Sequence, residues 1–172
     1  MNLIVAVDQN WGIGKDGTMP WHIRTDLKYF KEKTLHKTVL MGRKTLLSFP
    51  GGRPLPEREN IVLSRDTSYR APGAEVVNDF QMLLRYQDRS DVFVIGGGSL
   101  YAALLPYCEY AYVTKIGAVF DCDTFFPNLD ETEGWEQTDA GEMQEENGLP
   151  FRFTVYQNHA VTAQAAAAAT EE

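Results

Sequence analysis

The sequence predicts an α/β domain of mostly parallel strands with a late antiparallel extension, on three observations. Short β-branched runs at Val39-Leu40-Met41, Asn60-Ile61-Val62-Leu63-Ser64 and Asp91-Val92-Phe93-Val94-Ile95 lack strict polar alternation, as expected of strands covered on both faces. Helical patterns lie between them, and strands alternating with helices favour parallel pairs joined by crossovers. After Pro106 the helices give way to successive strands.

The elements follow in order. The opening run from Asn2 to Val7 is apolar but short, has no basic residue before it and reaches Asp8 early. It reads as a first strand entering the core and not as a signal peptide. Helices are expected over 25–34, 43–49 and 79–86. A fourth follows the glycines and carries Leu100, Ala103, Leu104 and Leu105. Strands are expected over 110–116, 135–142 and 150–159, the last two antiparallel and joined across 145–148. Phe151, Phe153 and Val155 alternate with Arg152, Thr154 and Tyr156, the period of a strand near a sheet edge. The stretch 160–172, with its alanine run, offers no apolar face to dock and is expected to be disordered and without function.

The 172 residues suit one domain, placed at 1–159. A hydrophobic content of 44% and a charged content of 23% are ordinary for a soluble protein. No apolar run approaches the roughly 18–20 residues that span a bilayer. Cys108 and Cys122 form no CxxC pair, and His22, His36 and His159 show no ligand spacing, so no metal site and no disulfide framework are expected. A reducing cytoplasm fits this cysteine usage. The formal charge of −8 argues against general affinity for nucleic acid or acidic membranes. Monomer is the default at this size.

Four places carry chemistry. Asp26 lies one turn into the first helix, after the apolar turn Met19-Pro20-Trp21, and shares a face with Phe30 beside Leu27. An unpaired carboxylate in an apolar cleft is costly and points to a cationic or proton-rich ligand. The alternative is a helix-dipole Asp with Thr25 as the cap. At Ile95-Gly96-Gly97-Gly98-Ser99-Leu100 a strand ends and a helix begins, so backbone amides there can approach a phosphate; a tight turn is the plainer reading. At Gly42-Arg43-Lys44-Thr45 two cations at a helix start call for an anion. The end of the run Leu63-Ser64-Arg65 offers a third cation, and ordinary surface bases are the alternative. Arg58, after the stiff Pro54-Leu55-Pro56 loop, is a candidate carboxylate clamp or a salt-bridge partner of Glu57 or Glu59.

Read in order, Gly12-Ile13-Gly14, Met19-Pro20-Trp21, Asp26-Leu27 with Phe30, and Met41-Gly42-Arg43 with Thr45 resemble bacterial, chromosomally encoded dihydrofolate reductases. So do Arg53-Pro54-Leu55-Pro56, Arg58-Glu59-Asn60-Ile61-Val62-Leu63-Ser64, Val94-Ile95-Gly96-Gly97-Gly98 and Asp123-Thr124-Phe125-Phe126-Pro127. The resemblance covers about residues 2 to 158. It implies a central mixed, mostly parallel eight-stranded sheet flanked by four helices, and the NADPH-dependent reduction of 7,8-dihydrofolate to tetrahydrofolate, with hydride passing to C6 and a proton to N5. The product would feed one-carbon transfer, and antifolate inhibitors would bind the same cleft.

By the same resemblance, Asp26 would hold the pterin through its 2-amino and N3 groups, with Thr114 joining through a water. Ile4 and Ile95 would offer backbone carbonyls, Ala6, Leu27, Phe30, Phe49 and Leu55 apolar contact, and Arg58 a partner for the glutamate carboxylate. Met19 and Trp21 would lie in the mobile loop 9–23, braced by a loop containing Asp121, and a water near Met19 would protonate N5. Toward NADPH, the resemblance places Arg43, Lys44 and Arg65 at the 2′-phosphate. Gly42, Thr45, Leu63, Ser64, Gly96, Gly97, Gly98, Ser99, Leu100 and Tyr101 would surround the phosphates and adenosine. Ala6, Ile13, Gly14, Ile95 and Thr124 would lie along the rest, and the Gly96–Gly97 bond is expected to be cis. Lys44, Leu46, Ser99 and the Gly51-Gly52 insertion depart from some members without removing a catalytic group. A pyrimidine reductase of related architecture and a non-catalytic dinucleotide-binding module are the competing readings. Trp21, Asp26, Phe30 and Arg58 favour folate over the first, and Asp26 disfavours the second.

Overall fold

A computed structural model describes residues 1–161 of the chain. Most of the expected tail, 162–172, therefore lies outside the described residues.

The strands are β1 (Asn2–Val7), β2 (Gly12–Gly14), β3 (Thr38–Gly42), β4 (Glu59–Leu63), β5 (Ala74–Val77), β6 (Val92–Gly96), β7 (Tyr110–Ile116), β8 (Thr124–Phe125), β9 (Trp135–Ala140), β10 (Gln144–Glu146) and β11 (Leu149–Asn158). The helices are α1 (Arg24–Thr34), α2 (Arg43–Leu47) and α3 (Gly98–Leu104). The main sheet runs β10-β11-β7-β1-β6-β3-β4-β5, and β9 also pairs with β11. β1, β3, β4, β5, β6 and β7 are mutually parallel, while β11 is antiparallel to β7, β9 and β10. Because β9 and β10 lie end to end on the edge of β11 away from β7, the nine segments fill eight ladder positions. β2 and β8 form a separate two-stranded sheet.

The missing polar alternation has a direct cause. Leu3, Leu40, Ile61, Val92 and Val94 enter one apolar cluster with Leu100 and Leu104 of α3. Their neighbours Ile4, Val39, Met41, Val62, Phe93 and Ile95 enter another, against Phe30 of α1 and Leu46 of α2. Each strand feeds two cores because helices cover both faces. Leu40 is fully buried, and truncating such a residue to alanine costs about 2–5 kcal/mol.

Three local expectations are corrected. The segment expected to be a helix at 79–86 is a 3-10 turn, Phe80–Tyr86, capped by the Asp79 carboxylate on Gln81 N–H. Strand 135–142 does not join the last strand directly, because β10 intervenes and makes the hairpin itself. Asn147 (φ 52°) and Gly148 (φ 80°) form its turn, the left-handed pair that matches strand twist in two-residue hairpins. Thr25 is not the cap of α1: Ile23 occupies that position without a side-chain bond.

Candidate active site

The carboxyl ends of β1, β3 and β6 stop at Val7, Gly42 and Gly96, and ligands of open α/β sheets bind outside such ends. α1 flanks this edge and presents Asp26. The helix begins in extended backbone at Ile23, and its first carbonyl bond is Leu27 N–H to Ile23 O, 3.1 Å. Asp26 is half-buried, and its carboxyl is pushed above the usual range by loss of hydration, partly offset by the Thr114 hydroxyl. That hydroxyl, on β7, donates directly to Asp26 Oδ1 at 2.7 Å. Thr114 thus reaches the carboxylate directly, and its expected water-mediated part in holding the pterin is a separate contact. The carboxylate turns to the strand and not to its own helix terminus.

Ile4, Phe30, Phe49, Leu55 and Ile95 share one apolar cluster beside Asp26. Ala6 packs against the cluster of Trp21, Ile23, Ile116 and Phe151, and Leu27 and Met19 are exposed. Trp21 is buried against Phe120, ring centroids 5.3 Å apart, and its indole N–H has no protein partner. Arg58 donates to Pro56 O at 2.9 Å and to Thr34 Oγ1 at 3.1 Å. Both acceptors are neutral, so its charge stays available, and an ion pair with Glu57 or Glu59 does not form among the described residues.

A second region adjoins this one. The Gly96–Gly97 bond is cis, and α3 starts at Gly98. A Cβ at Gly98 would stand 2.7 Å from Thr124 Cγ2, and one at Gly96 (φ +133°) 3.2 Å from Thr45 Oγ1. Gly97 N lies 4.0 Å from where a Gly42 Cβ would be. Thr45, Thr124 and the glycine turn therefore converge on a backbone-lined cradle, with Ile13 of β2 also beside Gly98. Arg43 stacks on Tyr69 at 4.2 Å and lies 3.7 Å from Asp66, whose carboxyl the Ser68 hydroxyl holds low. Lys44 and Arg65 have no ion pair among the described residues. Ser64 is buried and Leu63 half-buried, whereas Ser99 is exposed and forms no cap. Tyr101 and Leu100 are both buried, and the Tyr101 hydroxyl donates to Ile4 O at 2.7 Å, linking α3 to β1.

The segment 9–23 is tied down at several points. β2 pairs with β8, Asp16 N–H donates to Asp123 Oδ2 at 3.0 Å, and Lys15 lies 3.4 Å from Asp121. The buried Asp8 carboxylate accepts Asn10 and Gly12 N–H at 2.8 Å and Phe120 N–H at 2.9 Å. Sequence reasoning missed Asp8, Asp66 and Glu146. The Asx-type spacings of Asp8 with Asn10 and of Asp66 with Ser68 were the local signals available. Among the described residues no group of three His, Cys, Asp or Glu side chains could hold a metal ion.

The mostly parallel sheet with helices on both faces places the molecule in the α/β class. The family model described as dihydrofolate reductase matches residues 1–158. Dihydrofolate reductases of Staphylococcus haemolyticus and Haemophilus influenzae are 37% and 41% identical, over 91% and 90% of this chain and 95% and 96% of theirs. A solved dihydrofolate reductase from Enterococcus faecalis, complexed with NADP(H) and RAB-propyl, superposes with a TM-score of 0.80 at 39% identity, covering 91% of this chain and 94% of that one. The chain belongs to the dihydrofolate reductase family.

Proposed function

We propose that this protein reduces 7,8-dihydrofolate to 5,6,7,8-tetrahydrofolate with NADPH, hydride passing to C6 and a proton to N5. The observation that carries the reading is the half-buried Asp26 carboxylate, bonded to Thr114 at 2.7 Å and one helical turn from Phe30, which packs in the apolar cluster of Ile4 and Ile95. The 2-amino and N3 groups of a pterin are donors that such a carboxylate accepts. The apolar wall of Ile4, Phe30, Phe49, Leu55 and Ile95 suits flat rings. Arg58, without an ion pair among the described residues, takes the glutamate α-carboxylate.

The cofactor fits on structural grounds: a side chain at Gly98 would collide with Thr124, and one at Gly96 would crowd Thr45 and be strained at φ +133°, so the backbone is bare where a pyrophosphate would lie. Arg43, Lys44 and Arg65 take the 2′-phosphate. Bound NADPH supplies the hydride. The chain aligns the two rings, excludes bulk water through loop 9–23, and holds the pterin by Asp26. A water entering beside exposed Met19 delivers the proton to N5, and the Asp26 charge favours its arrival. Residues 1–159 form the working unit, a cytoplasmic monomer, and antifolate inhibitors occupy the pterin pocket.

The test is NADPH oxidation by the purified chain with dihydrofolate, beside an Asp26→Asn variant and a control without folate. Folate-dependent oxidation that collapses in the variant supports the activity and the carboxylate together. NADPH binding without oxidation by dihydrofolate defeats the reading and directs the search to a pyrimidine substrate.

A further inference from the structure

We propose that Glu146, on the hairpin strand β10, is a positioning residue for this reaction, its carboxylate fixing the first turn of α1 and so the place of the Asp26 carboxyl. The inference rests on the role of Asp26 proposed above.

A helix start leaves its first N–H groups without intrahelical partners, and Ile23 has no side chain able to accept them. Glu146 supplies the acceptors from 122 residues away: Oε2 takes Arg24 N–H at 2.5 Å. Oε1 takes Thr25 N–H at 3.2 Å and the Thr25 hydroxyl at 2.7 Å. The Thr25 hydroxyl and Arg24 N–H hold the Glu146 carboxyl below its ordinary range, so it is an anion at the positive end of the helix at neutral pH. Asp26 is the next residue.

A serine or aspartate at position 23 would cap the helix equally well but would leave it free to shift against the sheet. The Glu146 cap is tertiary and removes that freedom. Thr114, which grips the Asp26 carboxylate, lies opposite Phe153 of β11, and Glu146 lies opposite Leu149 of the same strand. One continuous ladder, β7-β11-β10, thus holds both the backbone before Asp26 and its side chain. The two-residue turn at Asn147-Gly148 sets where Glu146 stands on that ladder.

The experiment compares wild type with Glu146→Gln, Thr25→Val and the conservative Thr25→Ser. In ligand-free protein, carbon-13 NMR follows Asp26 titration and hydrogen exchange follows the amides of Arg24 and Thr25. Folate and NADPH dissociation constants come from tryptophan fluorescence. Glu146→Gln is expected to speed exchange at both amides, lower the Asp26 titration midpoint as water gains access, and weaken folate about tenfold, with NADPH affinity unchanged. Thr25→Ser keeps the wild-type titration. A folded Glu146→Gln variant with lower thermal stability but unaltered Asp26 titration and folate affinity overturns the proposal, leaving an ordinary stability cap. Should that variant not fold, Thr25→Val, which deletes one of the three bonds, decides by the same titration. A wild type silent with dihydrofolate overturns the reductase reading instead, and the ligand-free titration still decides the role of Glu146.

Discussion

The Thr114 hydroxyl donates to Asp26 Oδ1 at 2.7 Å, joining strand β7 to helix α1 across 88 residues of sequence. The bond opposes the burial that pushes the Asp26 carboxyl up. It therefore orients the carboxylate and limits how far burial raises the pH at which it ionises.

Thr114→Val removes the one contribution that favours the charged form. The Asp26 titration is expected to move further upward, carrying the acid limb of the kcat/KM profile to higher pH. A hydrogen bond to a charged group is worth about 1.5–3 kcal/mol, so kcat/KM at neutral pH should fall about tenfold or more. Steady-state kinetics across pH on wild type and variant check this.

Asp26 also carries a stability consequence. Its folded-state pKa lies above the unfolded value, so the folded state binds more protons between the two. Stability therefore falls as pH rises from the unfolded pKa through the folded one, and the loss persists above it. Asp26→Asn abolishes that loss while keeping an acceptor for Thr114. The variant should melt higher than wild type at pH 8 and show a smaller gain near pH 3, by calorimetry, while losing activity.

The three cations near the cradle differ in their present partners. Arg43 is shared between Tyr69 and Asp66, whereas Lys44 and Arg65 have no ion pair among the described residues. Lys44→Ala or Arg65→Ala should weaken NADPH about tenfold, the value of one charge-assisted contact. NADH, lacking the 2′-phosphate, should bind unchanged. Fluorescence titration with both nucleotides separates the effects.

Gly98→Ala places a methyl 2.7 Å from Thr124 Cγ2. Overpacking of this kind costs about 1–3 kcal/mol, and the shift would distort the cradle and weaken NADPH. Thr124→Ser deletes the obstructing methyl while keeping the hydroxyl, so the Gly98→Ala/Thr124→Ser double variant should recover most of both losses. Additive losses in melting and nucleotide binding would refute the proposed contact.

The sequence by itself determined the parallel core and the chemistry-bearing positions. The runs at β3, β4 and β6, the glycine turn before α3, and Asp26 on α1 are local patterns, and local periodicity and residue type specify them. The Asn147-Gly148 turn was equally local, though its pairing with β10 was not foreseen. Only the tertiary structure decided which groups face one another. It gave the Asp26 carboxylate to Thr114, gave Thr25 to Glu146 where a local cap was the alternative, and put Tyr101 on Ile4 O. It also turned the 79–86 segment into a 3-10 turn. The three pairings depend on partners far apart in sequence, whose approach is set by strand order and register, and no window of neighbouring residues contains that information.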